Sequence, residues 1–159
     1  MSDQNGSREA ALVQLDSAPF ATMGAVVLAS ERNLGNATGS RLHALSADGG
    51  RTFSREGGDS LPDVVTGNWT GVVCGLARAD ELLVFTAPAA AGARANLSLW
   101  TSRDAGASWG APALSLWAGP AAYSDALRVN DTHVGVVFEG GLQEFAGGVW
   151  YVAVPLAAL

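Results

Sequence analysis

The chain alternates between short apolar, β-branched runs and clusters of Gly, Asp, Asn, Ser and Pro. The runs are Ala11 to Leu15, Gly24 to Leu28, Leu42 to Ser46, Gly71 to Leu76, Leu82 to Thr86, Leu97 to Thr101, Ala113 to Trp117, Ala126 to Val129, Val134 to Phe138 and Val149 to Val154. None sustains helical i, i+3, i+4, i+7 spacing for long without Gly or Pro. Each therefore predicts a strand, and together they predict an all-β fold. Polar turn residues between neighbouring runs predict antiparallel hairpins, with loops at Val129-Asn130-Asp131-Thr132-His133 and at Ala77-Arg78-Ala79-Asp80.

A repeat is superimposed on this pattern. Ser46-Ala47-Asp48-Gly49-Gly50-Arg51-Thr52-Phe53 and Ser102-Arg103-Asp104-Ala105-Gly106-Ala107-Ser108-Trp109 share the form Ser-x-Asp-x-Gly-x-Ser/Thr-aromatic at an offset of 56 residues. Each position has a physical task. Ser46, Asp48, Ser102 and Asp104 can bond backbone groups of the turn, Gly50 and Gly106 supply a positive φ, and Phe53 and Trp109 anchor the returning strand. Self-similarity at a period of about 40 to 50 residues is the mark of propeller blades. The octapeptide resembles the Asp box of sialidase-type propellers, at 46–53 and 102–109. At about one blade per 50 residues, the chain is expected to supply about three four-stranded antiparallel blades, half of a six-bladed propeller. By this resemblance residues 1–159 form the C-terminal part of a sialidase β-propeller domain. Asp boxes are folding devices shared by proteins of different activity, so Asp48 and Asp104 are read as structural and function must come from other residues.

Composition narrows the functional classes. Hydrophobic residues make up 48% of the 159 and charged residues 15%, the balance of a folded chain with a real core. The net charge is −6, all nine basic residues are Arg, and they are scattered, which argues against a nucleic-acid partner. No apolar run approaches the roughly 18 to 20 residues needed to span a bilayer as a helix. The lone Cys74 rules out an internal disulfide and reads as a small buried hydrophobe. His43 and His133 are too far apart in sequence to suggest a metal site, so neither metal nor cofactor is expected.

The first residues have no apolar core and do not read as a signal peptide. Against that, five of the six asparagines (Asn5, Asn36, Asn68, Asn96 and Asn130) stand in N-x-Ser/Thr sequons without Pro. These favour a secretory-pathway protein, lysosomal or secreted, with glycan candidates at Asn36, Asn68, Asn96 and Asn130.

The stretch from Leu83 to Glu139 carries a sharper resemblance, to the lysosomal sialidase group. It reads Leu83-Val84-Phe85-Thr86-Ala87-Pro88, Arg94-Ala95-Asn96-Leu97-Ser98-Leu99, the second octapeptide, Leu116-Trp117-Ala118-Gly119-Pro120, Tyr123-Ser124-Asp125 and Val137-Phe138-Glu139. A sialidase binds a sugar bearing a carboxylate, and a guanidinium holds that planar anion through a bidentate fork. The resemblance gives this task to Arg94 and to Arg32, in Ser30-Glu31-Arg32-Asn33. A carboxylate nucleophile would be repelled by the substrate, whereas sialidases use a tyrosine, here matched by Tyr123. A phenol, with an ordinary pKa of about 10, needs a nearby carboxylate to take its proton. Glu9, in Glu9-Ala10-Ala11-Leu12-Val13-Gln14-Leu15, is the candidate and Asp16 its competitor. Glu139 matches the carboxylate that orients the first arginine of the family's triad.

That first arginine and the acid/base aspartate belong to the family's N-terminal blades, and no residue here matches them. By this resemblance the chain by itself is expected to be an inactive C-terminal portion of an exo-α-sialidase, a partial site whose partner would be the N-terminal half of the same propeller. Its ligands would be sialylated glycoproteins, glycolipids or oligosaccharides. The competing reading is a non-catalytic glycan-binding or interaction propeller. A hydrolase of neutral polysaccharide would need paired carboxylates and no carboxylate-binding arginines, and the Arg94 to Tyr123 stretch argues against it.

Overall fold

The computed structural model describes residues 8–15, 26–32, 42–56 and 72–159, with side chains at 11–15, 44–54 and 72–159. Among the described residues it is all-β apart from one short terminal 3-10 turn. The strands are β1 (Arg8–Leu15), β2 (Val26–Arg32), β3 (Leu42–Ser46), β4 (Ser54–Glu56), β5 (Gly75–Ala79), β6 (Leu82–Pro88), β7 (Ala95–Ser102), β8 (Leu114–Asn130), β9 (His133–Gly140) and β10 (Val149–Pro155). β1 to β4 form one antiparallel sheet in sequence order, and β5 to β10 form a second.

The second sheet is two blades joined by one strand. β8 pairs with β7 through Leu114, Ser115, Trp117 and Pro120, and then with β9 from Ala121 onward. The sequence predicts two strands here, Ala113 to Trp117 and Ala126 to Val129; the structure runs them together, because the intervening backbone finds partners on both neighbours. Three blades result, the first and second four-stranded and the third built, among the described residues, from the end of β8 with β9 and β10.

Strand alternation explains how the blades stack. β6 is buried at every position, so successive residues serve opposite cores. Leu83, Phe85 and Ala87 face the first blade, packing with Val72, Leu76 and Trp100 against Leu15, Val13 and Leu45. Leu82 and Val84 face the third, packing with Leu97 and Leu99 against Val134, Val136, Phe138 and Val154. The far face of the third blade carries the exposed Leu127, Val129, Val137, Val149 and Tyr151. Cys74 is buried in the first of these cores, as a small hydrophobe should be.

Two local readings change. The hairpin placed at Ala77 to Asp80 is shorter: Ala77 and Ala79 are strand residues buried against the third blade, Ala79 pairs with Leu82, and the turn is Asp80-Glu81. Asp80 takes the positive φ of 55° that so tight a turn requires. The strand sought at Gly71 to Leu76 begins only at Gly75.

The inner strands of the blades run side by side in one direction. At their starts, Ser124 N donates to Val73 O at 3.1 Å. At their ends, Arg78 Nη1 donates to Gln14 O at 3.3 Å, and Arg128 bonds Asp80 at 2.8 Å. The first residues of β1, β5 and the inner half of β8 are thereby gathered at one end of the molecule.

Each repeated octapeptide closes a turn by the same bonds. In the first, Ser46 Oγ accepts from Gly50 N and donates to Asp48, whose carboxylate accepts from the amides of Arg51 and Thr52 and from the Thr52 hydroxyl. In the second, Ser102 and Asp104 repeat the pattern toward Gly106 and Ser108. Gly50 and Gly106 have φ of 86° and 87°. Trp109 packs edge-on to Phe85 at 5.9 Å, and Phe53 is half-buried. The Thr52 hydroxyl and amide, with the Ser46 hydroxyl, hold Asp48 well below the usual carboxylate range. For Asp104, burial raises the pKa, but the hydrogen bonds from Ser102 and Ser108 outweigh it and the net shift is downward from 3.8. A carboxylate lowered in the folded state contributes stability above its unfolded pKa and loses it as pH falls through the folded value. Asp104→Asn should therefore lower the urea midpoint at neutral pH, and the gap to the wild type should close in titrations carried below about pH 4.

Candidate active site

β8 positions the central side chain. Its pairing with β9 is irregular between Ala121 and Ser124, the stretch that contains Tyr123. Ser124 is 5% exposed and turned inward, where its Oγ accepts from Gly75 N at 3.3 Å, donates to Thr86 O at 3.2 Å and lies 2.9 Å from Thr86 Oγ1. With Ser124 held on that side, strand alternation sends Tyr123 and Asp125 to the other. Gly75 is required at the junction, since a Cβ there would stand 2.6 Å from both Ala126 N and Thr86 Oγ1.

Tyr123, Asp125, Val137, Glu139 and Val149 line a cavity of about 470 Å³, with Val73 at its wall. Val137 pairs with Asp125 and Tyr151, and Glu139 with Val149, so the cavity is the upper part of the third blade's outward face. Its wall is chiefly apolar, with Glu139 and Asp125 as its carboxylates. Asp125 Oδ1 accepts from Ala126 N at 2.8 Å.

Arg94 reaches Tyr123 from the β6–β7 loop. Gly92, with a φ of 75°, turns the loop, and Ala89 N and Ala90 N donate to Asn96 O and Ala95 O to close it. Arg94 O accepts from Ala121 N at 2.9 Å, which ties it to β8 just ahead of the tyrosine. Its guanidinium carbon lies 5.3 Å from the Tyr123 ring centroid and 4.9 Å from that of Phe145. Arg94, Tyr123 and Glu139, distant in sequence, are thus gathered at one end of the blades.

Glu9 lies on β1 and Arg32 ends β2, where Arg32 pairs with Arg8. Both backbones therefore lie at the end of the first blade where the inner strands begin, the same end as Tyr123; their side chains are outside the described residues. Asp16, Asn5, Asn36 and Asn68 also lie outside them, as does the side chain of His43, a β3 residue. Asn96 has a φ of 57° and accepts from Ser115 Oγ at 2.8 Å. Asn130 sits at the exposed β8–β9 turn, where its Oδ1 accepts from Thr132 N and Oγ1. His133 bonds Thr132 through Nδ1 at 2.8 Å. Among the described residues no cluster of three or more His, Cys, Asp or Glu could hold a metal, and no helix is long and apolar enough to cross a membrane.

Solved structures that this chain resembles include sialidases. The NanB sialidase of Streptococcus pneumoniae superposes with a TM-score of 0.70 at 17% identity, covering 99% of this chain and 24% of that one. The fold is that of the sialidase β-propellers. A Hadza microbial sialidase gives a TM-score of 0.62 at 21% identity over 84% of this chain and 26% of its own. The intramolecular trans-sialidase of Ruminococcus gnavus, solved with oseltamivir carboxylate, gives 0.62 at 16% over 94% and 33%. This chain thus spans between about a quarter and a third of the length of these sialidases. No family model and no curated protein matches the sequence.

Within the sialidase fold, two site residues were not singled out by the sequence. Asp125 was visible only as part of the Tyr123-Ser124-Asp125 motif. Phe145 lies in the loop Gly141-Leu142-Gln143-Glu144-Phe145-Ala146-Gly147-Gly148, and nothing in that Gly-rich pattern says where its ring lands. Ser124→Ala should cost about 1–3 kcal/mol in chemical denaturation, because it removes the buried hydroxyl that accepts from Gly75 N and donates to Thr86 O. Asp125→Asn, at an exposed position, should stay within about 0.5 kcal/mol of the wild type.

Proposed function

We propose that this chain is the C-terminal part of a retaining exo-α-sialidase that removes terminal sialic acid from glycoproteins, glycolipids or oligosaccharides. The observation that carries the reading is the placement of the Arg94 guanidinium against the Tyr123 ring, beside a cavity that also holds Glu139, on a sialidase fold. A cation next to a phenol is the pairing needed by a reaction whose substrate is an anion and whose nucleophile must not be one.

In this reading Arg94 and Arg32 bind the substrate carboxylate through their N–H forks, fixing the anomeric carbon above Tyr123. The Tyr123 oxygen attacks that carbon as its proton passes to Glu9, or to the competing Asp16. The bond to the leaving glycan breaks, and the leaving oxygen takes a proton from an acid that has no match in these 159 residues. Water then cleaves the tyrosyl–sugar bond, so two inversions give net retention. Glu139 orients the first triad arginine, a group that the N-terminal half of the propeller would supply. The lysosomal or secreted location, the Asp boxes and glycans at the sequons belong to the same proposal.

A second reading is a domain that binds sialosides without turnover, through the Arg94 guanidinium held against Tyr123 beside the cavity. A fluorogenic sialoside separates the two when assayed with this chain and with any longer product of the same gene. Turnover by the longer form that falls by at least about a thousandfold in Tyr123→Phe supports the hydrolase, since a covalent route would be lost. Binding without turnover, weakened by Arg94→Ala, supports the second. Turnover that survives Tyr123→Phe would exclude the tyrosine mechanism.

A further inference from the structure

The β9–β10 loop, residues 141–148, is tied down at its base. Gly141 N donates to Pro120 O at 3.1 Å, Gly140 N to Gly148 O at 3.0 Å, and Trp150 Nε1 to Gly140 O at 2.9 Å. Trp150 itself stacks on Trp117 at 5.2 Å. The loop also folds back on itself, for a Cβ at Gly141 would come within 2.3 Å of Glu144 O and 3.0 Å of the Gly147 Cα. Only glycine allows that crossing. The loop is therefore held against the strand that carries Tyr123.

It presents two large apolar side chains with different fates. Leu142 is 90% exposed, whereas Phe145 is 36% exposed. The ring of Phe145 lies over the Arg94 guanidinium, 4.9 Å from centroid to carbon, and the Tyr123 ring lies at 5.3 Å. Both distances fall inside the roughly 6 Å at which a guanidinium is attracted to an aromatic face.

We infer that Phe145 is a positioning residue that clamps Arg94 against Tyr123 and so presents its N–H edge to the carboxylate of an acidic sugar. The inference rests on the reading of Arg94 as a carboxylate-binding residue. A guanidinium stacks through its flat faces and donates hydrogen bonds through its edge, so a ring contact and an anion do not compete for it. A ring contact that restricts the side chain beforehand reduces the ordering cost at binding. Partial exclusion of water also strengthens the charge-assisted bonds to the anion.

The test is a titration of the purified chain with N-acetylneuraminic acid, followed by NMR, with Phe145→Leu, Phe145→Trp, Arg94→Ala and the Phe145→Leu/Arg94→Ala double variant. Phe145→Leu should weaken binding about 3- to 20-fold, the range of a partly desolvated cation–π contact. Phe145→Trp should restore it, and Phe145→Leu should cost nothing further when Arg94 is already Ala. Wild-type affinity in Phe145→Leu, or an equal loss with and without Arg94, would overturn the inference. Should the wild type bind no sugar, the carboxylate-binding reading of Arg94 fails, and the clamp is decided by the Arg94 side-chain protons. Ring-current shifts that relax toward free arginine in Phe145→Leu support it, and resonances unmoved by that substitution exclude it. Unchanged backbone amide spectra away from the loop check that each variant is folded.

Discussion

The backbone of β8 has to satisfy its hydrogen-bonding groups on two different neighbours, and the arrangement of the chain follows from how it does so. Its first half belongs to β7 and its second to β9, and between them Ser124 is pinned to Gly75 and Thr86. A buried serine can make those bonds only from one side of the strand. That requirement places Ala126 toward the core shared with β6, sends Tyr123 and Asp125 to the opposite face, and brings the inner strands of the second and third blades together. If Ser124 pointed elsewhere, the cavity and the aromatic contact to Arg94 would lie on different sides of the sheet.

The same constraint explains why the site draws on residues so far apart. Parallel inner strands collect their starting residues at one end, and the loops after β6 and β9 arrive at that end as well. Arg94 comes in on the first loop and Phe145 on the second. Neither loop is an open excursion: the first is closed by Gly92 and by bonds from Ala89 and Ala90, the second by the glycines that let it cross itself. Side chains on short, internally bonded loops keep their geometry without a large core of their own. The apolar outer face of the third blade shows the converse. Val137, Val149 and Tyr151 are exposed there even though the strands that carry them have the composition of strands packed on both sides.

The turns built on Asp48 and Asp104 serve the blades without touching this cavity. Their carboxylates accept several local hydrogen bonds and titrate low for that reason. A lowered pKa often marks a functional carboxylate. In this molecule it marks a turn whose serine, aspartate and glycine close upon one another, and the cavity's carboxylates are elsewhere.

The sequence by itself determined most of the strands, though not the short β4, because period-2 patterning and turn residues act through neighbours a few positions apart. It also determined the two repeated turns, whose bonds run from Ser46 and Asp48 to residues no more than four positions away, and likewise from Ser102 and Asp104. Arg94, Tyr123 and Glu139 were singled out only through the resemblance of their motifs, in order and spacing, to a known family. Only the tertiary structure decided that β8 is a single strand, that Tyr123 faces a cavity with Glu139, and that Phe145 covers Arg94. Those facts depend on where a backbone finds its hydrogen-bond partners and on which loops meet at one end of stacked blades. Both are set by contacts between residues tens of positions apart, which no local pattern encodes.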